Sequence, residues 1–281
     1  MNKMILAAVV SMAATTAFAK ATTEYYFQPA AGAHAVEINY SMTADPGKAE
    51  TGGGDVDVKQ TTNDVVLDYA YGLNETTALG AYTFSGSSKT TVGTTDTTAN
   101  GMGDIHLYYK GFADMIHWGV DLGVNMGKAK ADKRGTGGLS IAANVGVLAN
   151  SAEWNYGGDL MIILPQERTT ESTTGDTKTK GGNTTKLAGF AEYNYGMGFV
   201  GGELAYVMVA DTDTGAAAKT KGEGYLMLTG NVSYDFNDMA TGLLSIGVEN
   251  HSSRDSDDSA TPTKLKAYMG TNVALGVRLN F

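Results

Sequence analysis

Two histidines and their charged neighbours are the residues of this chain best placed to do chemistry. His106, Lys110, His117 and Asp121 fall on the polar faces of two consecutive segments in which every second residue is apolar. If Ala113-Asp114 is a tight turn between those segments, Lys110 faces His117 and His106 faces Asp121. Imidazole titrates near neutrality, so the four suit a charged constriction or a pH-sensitive contact. An ordinary salt-bridge network is the plainer reading and the favoured one. Metal binding is not expected. The four histidines are dispersed, and no two share a ligand spacing. The run Asp255-Ser256-Asp257-Asp258 lacks the glycine and distal glutamate of a calcium loop and reads as a solvated loop tip. With no cysteine, thiol catalysis, disulfides and Cys-zinc sites are excluded. No phosphate-binding glycine loop is present. No cofactor and no catalytic residue is assigned.

The same polar faces carry further charges. Glu37, Asp64, Asp68, Asp104, Asp159, Glu192, Glu203 and Glu249 alternate with apolar residues, as do the fewer basic groups Lys186 and Arg278. A space lined by carboxylates favours cations over anions. The formal net charge is −10. That disfavours nucleic acid as a partner, since phosphates are repelled.

Only strands position residues in this way. Ile116, Trp118, Val120, Leu122, Val124 and Met126 point to one side of their segment, and His117, Gly119, Asp121, Gly123 and Asn125 to the other. No charge falls on the apolar side, as a lipid-facing surface requires: a charge near the bilayer midplane costs roughly 2–4 kcal/mol. Twelve such segments are present, with ten or fourteen as alternative counts. Several run to the roughly 9–11 residues that a tilted strand needs to cross a bilayer. Apart from the first residues, no apolar run is long enough for a transmembrane helix. The connections alternate strictly. Short turns lie at Gly72-Leu73-Asn74, Ala113-Asp114, Ala149 to Ala152, Gly196-Met197-Gly198 and Asn237 to Ala240. Long polar loops lie at Thr43 to Thr61, Ser85 to Gly103, Gly127 to Gly137, Pro165 to Thr185, Ala210 to Gly222 and His251 to Thr263. Their Thr, Ser and Gly content reads as solvated, mobile chain.

Aromatic residues gather at the short-turn ends: Tyr69, Tyr71, Tyr109, Phe112, Trp118, Trp154, Tyr156, Tyr193, Tyr195, Tyr234, Phe236 and Phe281. A ring at a membrane interface sits half in lipid and half in water, so these form a belt. At the amino end, Lys3, the apolar run Met4 to Val10 and the small-x-small Ala17-Phe18-Ala19 predict a signal peptide cleaved after Ala19. Residues 20–281 then form a single all-β domain: a transmembrane, antiparallel, up-and-down β-barrel with both termini on the short-turn side.

With these residues assembled, the chain resembles the outer-membrane β-barrel proteins of Gram-negative bacteria. The carrying features are Ala17-Phe18-Ala19 and the closing Val277-Arg278-Leu279-Asn280-Phe281. The resemblance implies outer-membrane lipid as surroundings, periplasmic termini, and recognition of the last strand by the barrel-assembly machinery. Twelve-stranded members include small-solute and oligosaccharide channels, a nucleoside channel and a phospholipase. The phospholipases place Ser and His on the lipid-facing surface. Here His106 and His117 face inward, and nothing in the sequence brings a histidine to the inward Ser140 and Asn144. An enzyme is therefore not expected. The expected function is a porin-like channel for passive diffusion of small hydrophilic solutes, with modest cation preference. The alternative is a non-conducting barrel with a structural or surface-interaction role.

Overall fold

A computed structural model describes residues 26–51, 54–124, 129–130, 138–165, 167–171, 177–213, 219–257 and 263–281. The predicted signal peptide, Asp258, and parts of the long connections lie outside the described residues. Twelve long strands form a closed antiparallel barrel. They are β1 (His34–Thr51), β2 (Gly54–Asn74), β3 (Thr77–Val92), β4 (Ile105–Ala113), β5 (Ile116–Val124), β6 (Ser140–Ser151), β7 (Trp154–Pro165), β8 (Thr184–Asn194), β9 (Phe199–Val209), β10 (Glu223–Asn237), β11 (Ala240–His251) and β12 (Tyr268–Asn280). Each pairs with its sequence neighbours. The barrel closes where β1 meets β12 in continuous register from Ala35↔Asn280 to Ala44↔Thr271. Beyond that register, the His34 and Phe281 backbones exchange N–H···O bonds of 2.7 and 2.9 Å. Closure matters physically: in hydrocarbon an unpaired strand edge would leave a row of unsatisfied N–H and C=O groups.

The apolar faces turn outward and stay exposed. Ile38, Leu107, Val120, Val145, Leu187, Leu204, Leu228, Ile246 and Leu275 are each about half or more exposed. They belong to a continuous apolar surface around the barrel, which water does not tolerate at this extent and lipid does. The closing strand keeps its predicted alternation: Leu275, Val277 and Leu279 are exposed, while Arg278 between them is buried.

Two expectations about connections are corrected. Three of the five short turns sit one to three residues later than predicted, while those at Gly196-Met197-Gly198 and Asn237 to Ala240 fall where expected. Between β4 and β5 the turn is Asp114-Met115, with Ala113 paired to Ile116 and Asp114 in the left-handed region at φ 58°. Between β6 and β7 it is Ala152-Glu153, with Ala152 at φ 51°. The segments read as loops Thr43 to Thr61 and Ser85 to Gly103 are instead largely paired backbone. β1 and β2 continue in register out to Thr51↔Gly54. Ser85–Val92 pairs with a short strand, Thr95–Met102. The reason is β-branching. Thr43, Val56, Val58, Thr61, Thr90, Thr91 and Val92 favour extended backbone even in polar sequence. Smaller hairpin pieces, Glu167–Glu171 with Thr177–Lys180 and Arg254–Asp257 with Thr263–Leu265, stand on the same side.

Candidate functional site

The polar faces converge inside the barrel. Three cavities of about 500, 330 and 290 Å³ lie there; the first two share Lys110, the first and third Asn231, and the last two the pair Lys186 and Glu203. The charges on those walls are tied to one another. Lys186 Nζ on β8 lies 2.6 Å from Glu203 Oε1 on β9. Arg278 Nη1 on β12 lies 3.8 Å from Glu37 Oε2 on β1. The Tyr108 hydroxyl donates to Asp68 at 3.0 Å, and the Lys110 ammonium stands 5.0 Å from the centre of the Tyr108 ring. Asn155 Nδ2 donates to Glu192 at 2.8 Å, and Asn144 Nδ2 to Asp159 at 3.3 Å. Asp104, Asp159, Glu192, Glu203 and Arg278 are buried. Asp64 lies over Gly86 on the next strand, where a side chain would collide with its carboxylate.

The predicted four-residue cluster is only partly assembled. Because the turn falls one residue later than expected, the cross-strand register shifts by two, and Lys110 pairs with Gly119 and His117 with Phe112. Lys110 and His117 are therefore not partners across the strands. His106 and Asp121 meet diagonally, Nδ1 to Oδ1 at 2.7 Å, with the His106 ring stacked on Tyr82 at 4.4 Å. His117 is instead 3.8 Å from Asp159 on β7. Gly123 also modifies the reading of Ser140. Its empty side-chain position is flanked by the Ser140 hydroxyl and, 2.9 Å away, by the His106 ring, so the fold does bring a histidine near this serine.

The main feature missed in sequence is the segment before β1. Tyr26 and Phe27 enter the lumen at the short-turn end. The Tyr26 ring lies tilted by 30° over His117 at 3.6 Å and meets Phe190 and Phe112 edge-on at 5.5 and 6.4 Å. Phe27 lies under the Arg278 guanidinium, 3.6 Å from its centre, a cation–π geometry. His117, Phe112 and Phe190 stand on β5, β4 and β8, while Arg278 and the chain's entry into β1 are on the opposite side of the closed sheet. The segment therefore crosses the bore. It is anchored at the rim by Gly72: Gly32 N–H donates to the Gly72 carbonyl at 2.8 Å, and Gly72 N–H to Ala33 at 3.0 Å. Only glycine fits there, because a side chain would strike the Ala30 carbonyl. Short polar-aromatic segments outside the alternating pattern give no periodic signal; the three adjacent aromatics of the sequence, Tyr25, Tyr26 and Phe27, are the available hint.

The rings at the short-turn ends divide. Tyr69, Tyr109, Trp154, Tyr156, Tyr234 and Phe236 are exposed, and Tyr71, Trp118, Tyr193 and Tyr195 half-buried. Several pair with neighbours, Tyr109 with Trp118 at 5.0 Å and Trp154 with Tyr193 at 5.2 Å. Two depart from the predicted belt. Phe112 points inward against Tyr26. Phe281 is buried, stacked on His34 at 5.8 Å, because it pairs with β1 past the end of β12. His34 in turn places Nδ1 2.7 Å from the Tyr69 hydroxyl.

At the opposite, long-connection end, three potential ligands converge. One ligand atom each from Asp45, Glu249 and His251 lie within 4.8 Å of one another. The group holds one histidine, so it joins His251 to carboxylates and not to a second imidazole. Sequence reasoning placed His251 at the start of a loop, whereas it is the last residue of β11. The signal was present: Glu249 and His251 are two apart and so share one strand face.

No protein-family model and no curated protein matches this chain. Solved structures do resemble it. An outer-membrane channel from Pseudomonas putida F1 superposes with a TM-score of 0.65 at 15% identity, over 92% of this chain and 98% of that one. The translocator domain of the autotransporter NalP from Neisseria meningitidis superposes with a TM-score of 0.50 at 12% identity, over 88% of each chain. The fold is that of the outer-membrane β-barrels. Identity at this level speaks for architecture alone.

Proposed function

We propose that this protein is a bacterial outer-membrane channel whose acidic lumen is stoppered from the short-turn side by its own residues 26–33. The placement of Tyr26 and Phe27 across the bore carries the reading. A fully open porin would leave that space to water. Here Lys186 is matched by Glu203 and Arg278 by Glu37, and aromatic rings fill the gap between His117 and Phe190. The lumen still holds a surplus of carboxylates. Glu37, Asp68, Glu192 and Glu249 share the cavity walls with Glu203 and Asp159, against Lys110, Lys186 and Arg278. Permeating solutes are therefore small and polar, with cations favoured. The exposed apolar wall sets the barrel in lipid, and the short-turn side faces the periplasm by the topology such barrels follow.

Reversal potentials across a planar bilayer under a KCl gradient test the selectivity. The expected sign is that of a potassium-favouring channel. A chloride-favouring potential would overturn the acidic-lumen reading. Complete silence of the native chain and of variants that free the bore would favour a barrel that conducts nothing and serves as a scaffold.

A further inference from the structure

The long-connection mouth of the barrel is built differently from the rest of the lumen. His251 is clamped between two rings, Tyr225 at 4.2 Å and Tyr268 at 4.4 Å, from the strands on either side. Both of its nitrogens face carboxylates: Nε2 lies 2.9 Å from Glu249 Oε2, and Nδ1 3.4 Å from Glu223 Oε2. The His251 and Glu223 side chains are only 7% exposed each. Asp45 reaches the same place from β1 by crossing β12 at Gly270, where any side chain would collide with its Oδ1 and would approach Glu249 Cβ at 3.6 Å. That buried Oδ1 has no hydrogen-bond partner among the described residues. Three carboxylates thus surround one imidazole. Even a protonated ring neutralises one of them, and a buried carboxylate oxygen without a donor is costly.

A cation resolves this arrangement. Two ligands of a tetrahedral zinc ion, each at about 2.1 Å, stand about 3.4 Å apart. The 2.9 Å separation of Nε2 and Glu249 is close to that, and the 4.8 Å limit on Asp45 is within reach of a small side-chain rotation. Glu223 on the far nitrogen supplies the carboxylate–imidazole contact that fixes a metal-bound ring. An imidazole with carboxylates suits a borderline divalent transition metal. Calcium and magnesium take oxygen ligands instead.

We propose that Asp45, Glu249 and His251, oriented by Glu223, bind one divalent transition-metal ion at the long-connection mouth of the lumen. The ion ties β1 to β11 across β12 and so pins the closure seam. The proposal is independent of whether the channel conducts.

The test uses the refolded full chain in detergent, stripped with chelator and titrated with ZnCl₂ by calorimetry, with CaCl₂ as competitor. One saturable zinc site is expected. Both His251→Gln and Asp45→Asn should weaken it by at least about tenfold, and calcium at equal concentration should not displace it. Asp45→Asn preserves shape at a half-buried position, so its result stands even if the histidine variant fails to fold. No saturable site, a site unchanged by both variants, or equal competition by calcium would each overturn the proposal.

Discussion

The lumen is decided by individual pairs. Lys186 and Glu203 show this most directly, because Glu203 is only 5% exposed and its 2.6 Å partner is the ammonium. Removing one member of a buried pair strands the other, whereas removing both is far milder. Lys186→Met should therefore lower unfolding free energy in lipid by about 3 kcal/mol, and Lys186→Met with Glu203→Gln should recover most of it. Equal losses in the single and double variants would count against the pair. The alternation of apolar and charged residues was enough to assign Lys186, Glu203, Glu37 and Arg278 to the inside. It could not say which met which. A one-residue error in one turn, which shifts the cross-strand register by two, undid the predicted contact of Lys110 with His117. The His106–Asp121 contact survived only because diagonal neighbours across antiparallel strands still lie within reach of long side chains.

At the scale of elements, the wall and the outer hairpins behave differently. Leu228 sits mid-strand on β10 at 60% exposure. If that surface meets hydrocarbon, Leu228→Arg should cost about 2–4 kcal/mol in urea titrations of vesicle-refolded protein. A change near zero would place the residue in water. Strand existence and facing were legible because each strand buries one face and exposes the other. The hairpin extensions were not, because their Thr and Ser residues look like loop composition and lack an apolar row. They hold together by pairing and by polar contacts such as Lys266 Nζ to Asp55 Oδ2 at 2.7 Å. That hydrogen bond holds the Asp55 carboxyl below its ordinary range and the Lys266 ammonium above its own. The lowered carboxyl makes the contact whole above the ordinary carboxylate range and loses it as pH falls through the lowered value. The raised ammonium keeps it until pH climbs past the usual lysine range. Proteolysis near Thr51–Gly54 should accordingly be slow at pH 7 and quicken in Lys266→Met. An unchanged rate would show that the ion pair does not hold the hairpin.

For the whole molecule, a closed barrel supplies a bore and the segment before β1 occupies it. This segment was illegible in sequence, since it has neither period 2 nor period 3.6. Its place depends on contacts that exist only once the sheet has closed: His117 beneath Tyr26, Arg278 over Phe27, and Gly72 at the rim. Gly72→Val should dislodge it from the rim, exposing residues 26–33 to protease while the barrel stays folded. Continued protection would mean that the anchor lies elsewhere. The central claim is that this segment is the stopper. Single-channel conductance of Tyr26→Ala/Phe27→Ala, recorded beside the native chain, tests it most directly. The account predicts rare, small openings for the native protein and large, sustained, cation-favouring steps for the variant. Native and variant chains that conduct alike, whether both open or both silent, would contradict it.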